Sequence, residues 1–179
     1  MGDAKQMTLS RMTLLFLSSR GGWMILAVLF AIALRTTMDA LFWVDYMAFA
    51  IIVCSWPLLE WFVHCYLLHH WTFLPFHESH ERHHQSPSTD TGLPEGWLIA
   101  MYFVMALACW AFSLDRLLTI GVATYMMLTI YEFVHFSCHC NYKPKTWWGW
   151  AIRLNHLQHH STKPDRQHGM LFPIIKDQR

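Results

Sequence analysis

A chain of 179 residues has room for one domain, and with 54% hydrophobic and only 14% charged residues it falls far below the roughly 25% charged content of soluble domains. That deficit excludes an ordinary soluble globule and points to a membrane. A formal net charge of +1 excludes a basic nucleic-acid-binding surface.

In chain order, the first apolar stretch covers about residues 14–34 and is interrupted by Arg20, Gly21 and Gly22. Its clean part, from Gly21 to Leu34, is short beside the ~20 helical residues that cross a bilayer core. The second stretch, 40–68, carries Asp45 near one end and Glu60 near the other. A polar segment, 69–95, follows, and its run from Gln85 to Gly92 is composed like a loop. The third stretch, 96–114, has no charge, and the fourth, 117–138, contains only Glu132. An amphipathic tail runs from Asn141 to Arg179. The pattern predicts an all-α, integral membrane four-helix bundle forming a single domain over 1–179.

Charge sets the expected orientation. If all four stretches cross, eleven of the 13 Lys and Arg residues fall on the side of the termini, and only Arg35 and Arg116 on the other. The positive-inside rule places the larger set in the cytoplasm. Both termini and every histidine cluster are then cytoplasmic. The five cysteines, Cys54, Cys65, Cys109, Cys138 and Cys140, are expected to be reduced packing residues. Cys138-His139-Cys140 lacks the second ligand pair of a zinc finger.

All 13 histidines lie between His64 and His168. Ten form four clusters: HxxxxH (His64, His69), HxxHH (His80, His83, His84), HxxxH (His135, His139) and a second HxxHH (His156, His159, His160). The arrangement is a two-part echo, in which an apolar helix ends in histidines and an HxxHH segment follows. A lone histidine on an apolar helix is usually a core residue, but ten in four clusters are not. Residues i, i+3 and i+4 share a helix face, so each HxxHH cluster aims its imidazoles one way. His64 and His69 stand about 140° apart on an ideal α-helix, so they are expected to reach different metals unless the helix frays. Neutral imidazole is the commonest metal ligand, and ten supply two ions with about five each. The predicted architecture thus gains a histidine-rich di-metal cap over 69–95 and 139–171. His70, His77 and His168 stand outside the echo and are expected at the surface or beside the ligands.

Glu60 lies four residues before His64, and Glu132 three before His135. A carboxylate inside an apolar span marks a functional site, and metal-bound histidines commonly donate their other N–H to such a group. Glu60 and Glu132 are therefore expected to orient ligands, and Asn155, beside His156, to do so through its amide. Trp61, Phe62, Trp71, Phe73 and Phe76 are candidates to line a lipid cavity. Trp147, Trp148 and Trp150 suit anchoring at the membrane surface better.

The four boxes in this order, with Glu60-Trp61-Phe62-Val63-His64, His80-Glu81-Arg82-His83-His84-Gln85-Ser86-Pro87, Tyr131-Glu132-Phe133-Val134-His135 and His156-Leu157-Gln158-His159-His160, resemble the fatty acid hydroxylase branch of the membrane sterol desaturase/hydroxylase superfamily. The nearest likeness is to the fatty acid 2-hydroxylases, over about Leu59 to Leu171. The resemblance implies that the ten histidines hold two iron ions, whose sites zinc can also occupy. It implies a monooxygenase that uses dioxygen and two electrons to hydroxylate an unactivated C–H bond of a lipid. Asn155 stands where the 2-hydroxylases often carry histidine, and Glu132 where they often carry aspartate. A chain of this length lacks room for the cytochrome b5 domain that begins many members, so electrons are expected from a separate cytochrome b5- or ferredoxin-like protein. Alternative readings are a carotenoid β-ring hydroxylase, whose third box is wider than HxxxH, and a lipid desaturase. Outside the enzymes stands a metal transport or storage protein, whose sites usually lie at the bilayer midplane rather than at helix ends.

Overall fold

The computed structural model describes residues 6–87, 94–161 and 168–172. Its regular elements are helices: α1 (Leu9–Leu17), α2 (Arg20–Thr36), α3 (Trp43–Phe62), a π-helical segment (Val63–His70), α4 (Pro75–Gln85), α5 (Gly96–Ala111), α6 (Asp115–His139) and α7 (Trp147–Ser161). No strand occurs among the described residues, and the predicted loop over 85–92 falls largely outside them. Helix α3 runs directly into the π-helical segment, giving 28 continuous residues from Trp43 to His70, and α6 has 25. Both are long and apolar enough to cross a membrane.

The other two predicted spans are shorter than expected. The first is broken at Ser18-Ser19, and α1 with α2 makes a third crossing only if the pair counts as one. Ser19 starts α2 by accepting the Gly21 N–H on its hydroxyl at 3.2 Å. Gly22 is required there, because a Cβ would run into the Leu17 carbonyl oxygen. Helix α5 has 16 residues and stops at Ala111; Ser113, at φ 55°, then turns the chain through the left-handed region.

The contacts divide the chain into two units. One comprises residues 17–56 and 94–130. In its core, Met24, Ala27, Val28 and Ala31 of α2 pack with Ile99, Tyr102, Ala106 and Cys109 of α5 and Leu118 and Tyr125 of α6. The spacings of three and four residues define one face of each helix, and the alanines let the backbones approach closely. Tyr102 and Tyr125 stack at 3.6 Å between ring centroids. Leu26, Leu29, Met101 and Val104 point outward, a greasy exterior that suits lipid. A buried polar knot ties the unit's helix ends. Arg35 donates to Asp45 (3.2 Å), Thr119 (2.8 Å) and the Asp39 carbonyl (2.7 Å). Thr119 in turn donates to Asp45 at 2.8 Å.

The second unit comprises residues 1–16, 57–93 and 131–179, and all four histidine boxes belong to it. Phe16 of α1 meets Phe133 and Phe136 of α6 edge-on at 5.2 and 5.7 Å. Arg153 of α7 donates to the carbonyls of Ser137, Cys140 and Tyr142 at 2.9–3.2 Å. It thereby satisfies groups that the end of α6 would leave orphaned and fixes α7 to α6.

Candidate metal centre

Each box sits on its own element. The first spans the π-helical segment, whose signature is the bond from Trp71 N–H to the Tyr66 carbonyl, 2.8 Å, five residues back. In a π-helix residues five apart lie roughly one turn above each other, so His64 and His69 face the same way. The α-helical expectation that they reach different metals is corrected on this ground. Pro57 inside α3 removes a helical hydrogen bond just upstream. His70 and His77 hold the segment from outside, their Nδ1–H groups donating to the carbonyls of Cys65 (2.5 Å) and Leu68 (2.6 Å).

The second box lies on α4, which starts at Pro75, where a missing N–H costs nothing. The third ends α6 and the fourth lies on α7.

The ten histidines fall into two groups of five. His64, His69, His80, His84 and His159 form one; His83, His135, His139, His156 and His160 form the other. Within each, the ligand nitrogens all lie within 4.8 Å of one another. The HxxHH boxes do not aim all three rings alike. The first and last histidines of each serve one group, and the middle one, His83 or His159, crosses to the other. The groups abut, with His84 of one stacked on His160 of the other at 4.1 Å and 12°.

These nitrogens fit a metal ion. Nε2 atoms face each other at 3.1 Å in the pairs His69–His159, His69–His80, His80–His84 and His83–His139. The pairs His83–His135 and His139–His156 stand at 3.0 and 2.7 Å. Imidazole nitrogens bind first-row ions at about 2.1 Å, so two set at right angles stand about 3 Å apart. Nε2 of His64 and both nitrogens of His160 are buried without a hydrogen-bond partner, an arrangement that is costly unless something binds there. Burial, then the neighbouring imidazoles, pushes His80 and His156 well below the usual histidine range, His84 to about 3 and His160 to about 2. At neutral pH these rings are uncharged, the form that offers a lone pair.

The groups around the ligands differ from simple one-turn pairing. Glu132 lies 3.5 Å from Nδ1 of His135. Glu60 accepts the backbone N–H groups of Met170 and of Leu171, the latter at 2.8 Å. Asn155 donates to the Gly169 carbonyl at 2.6 Å. His64 donates from Nδ1 to the His168 carbonyl at 2.7 Å, which leaves its Nε2 unprotonated. His168 is buried, its ring 5.2–5.4 Å from those of His64, His69 and His159. Sequence reasoning included residues 168–171 in the cap and offered His168 a place at the surface or beside the ligands, but it did not find their main-chain role, since an isolated histidine before Gly-Met-Leu carries no periodic signal.

The fatty acid hydroxylase family model matches residues 47–178, nearly three quarters of the chain and all ten clustered histidines. No curated protein and no solved structure gives a match.

Proposed function

This chain belongs to the fatty acid hydroxylase family, and on that premise we propose that it is a membrane di-iron monooxygenase acting on a fatty acyl or similar lipid chain. The observation that carries the reading is the pair of adjoining five-imidazole groups. An all-nitrogen donor set suits iron, zinc, copper and nickel, and the family favours iron. Five donors per ion is one fewer than an octahedral set. Iron, when bound, supplies the redox chemistry that joins dioxygen to a C–H bond. One oxygen atom goes to the lipid and the other to water, with two electrons delivered one at a time by a separate cytochrome b5- or ferredoxin-like donor and two protons taken from water. The protein's own task is positional. His83 and His159 lock the two groups together, Glu132 steadies His135, and the buried rings hold the centre in a water-poor setting.

The lipid is proposed to enter from the membrane, past exposed Phe62, Trp71 and Phe73. The reading includes four crossings, and on that count the eleven-to-two division of Lys and Arg makes the termini and histidines cytoplasmic. Single cysteines engineered at Asp3 and Gln178 in a background without the native cysteines should react with an impermeant reagent only after the membrane is opened. Labelling of intact cells at either end would overturn that orientation.

The chemistry is tested by reconstitution with ferrous iron, an electron donor, lipid and isotopically labelled dioxygen. A label in a hydroxyl group on an acyl chain is the expected result. An unlabelled new double bond would make the protein a desaturase, and label on a carotenoid ring would change the substrate. Metal uptake without oxygen-dependent turnover of any lipid would leave a storage or transport protein.

A further inference from the structure

Residues 168–171 form a buried strap that side chains hold. Glu60 of α3 accepts the N–H groups of Met170 and Leu171, and Asn155 of α7 donates to the Gly169 carbonyl. Between these two anchors and the metal centre, the His168 carbonyl takes the Nδ1–H of His64 at 2.7 Å.

We infer that the strap is a positioning device for the first imidazole group, in which Glu60 and Asn155 set the His168 carbonyl that orients His64. The inference rests on the di-metal reading above. A carbonyl oxygen can only accept, so it fixes the proton on Nδ1 and turns the bare Nε2 of His64 toward His69, His80, His84 and His159. Without it the ring can turn, or carry its proton on Nε2, and either change removes a donor from that group alone. His64 touches the strap through the hydrogen bond to the His168 carbonyl. In the second group, the corresponding nitrogen of His135 faces Glu132 instead. Glu60 and Glu132 precede the first histidine of their boxes by four and three residues, yet Glu132 stands beside its histidine while Glu60 acts through a main-chain segment.

The test compares purified holoprotein carrying Glu60→Gln, Glu60→Leu or Asn155→Leu with wild type, measuring iron per chain against a graded chelator. Glutamine retains a carbonyl oxygen for the two N–H groups, so Glu60→Gln should keep both ions within a few-fold of wild-type affinity. Glu60→Leu and Asn155→Leu should each weaken one ion by about 10–100-fold, the usual loss when a group behind a metal-bound histidine is removed. The retained ion reports that the chain has folded. Cobalt substitution identifies the lost site, because the spectrum should match that of His69→Ala, which removes a first-group ligand. If Glu60→Leu does not fold, Asn155→Leu decides the matter. Two ions at wild-type affinity in a leucine variant, or loss of both ions together, overturns the inference. Wild-type protein that takes up no metal overturns the di-metal reading and the inference with it.

Discussion

His83→Ala and His159→Ala are each expected to abolish lipid turnover while the chain stays in the membrane at wild-type level. Both rings are fully buried, at 0% exposure, and each is the middle histidine of its box, reaching into the group opposite the one its neighbours serve. Removing either deletes one of five donors and cuts a link between the two groups. His83 stands 3.1 Å from His139 and 3.0 Å from His135, and His159 stands 3.1 Å from His69, so each deletion takes a neighbour from at least one further ligand nitrogen. The loss should exceed the roughly 100-fold upper range for groups that act from behind a ligand. Neither residue lies in a helix long enough to cross the membrane, so insertion should be unaffected. Immunoblots of membrane fractions, iron content and labelled-oxygen incorporation together check this. Activity above a hundredth of wild type in either variant would remove the crossing histidines from the centre. His70→Ala and His77→Ala, whose Nδ1–H groups hold main-chain carbonyls of the π-helical segment and which belong to neither imidazole group, should cost less.

Much of this site can be read in the sequence, because spacings of three and four residues carry direction on a helix. The boxes around His80 and His156, and the pair His135 with His139, announce shared faces, and the structure gathers all ten rings. What spacing cannot supply is side-chain torsion: it does not say that His83 and His159 turn away from their neighbours across to the other group. The five-residue spacing of His64 and His69 conflicts with an α-helix, and that conflict was itself the sign of a π-helical segment. The sequence places the strap within the cap and singles out Glu60 and Asn155, but not how they meet it, since the strap's residues act through main-chain groups that any residue type carries. In the apolar stretches, hydropathy gives length but not continuity. The break before Arg20 depends on the Ser19 cap and the close approach at Gly22, and the end of α5 depends on a left-handed turn at Ser113.

The largest expected loss of stability comes from the unit without histidine boxes. Arg35→Met should destabilise the protein by about 3 kcal/mol, the lower end of the cost of breaking a buried ion pair. Arg35 and Asp45 are only 6% and 2% exposed, so the abandoned carboxylate cannot simply rehydrate. The lower end applies because the Thr119 hydroxyl (2.8 Å) and the Phe42 N–H (2.9 Å) continue to donate to Asp45. Loss of the guanidinium also frees the Asp39 carbonyl and leaves Thr119 with one partner fewer. Arg35→Met combined with Asp45→Leu should recover most of the loss, since an apolar pair leaves no charge uncompensated. Thermal unfolding in detergent, read alongside iron content, separates the cases. The single variant should melt earlier yet bind two ions per folded chain, because the knot and the histidine groups share no residue. A double variant as unstable as the single one would mean that Arg35 acts through its hydrogen bonds to Asp39 and Thr119 rather than by neutralising Asp45.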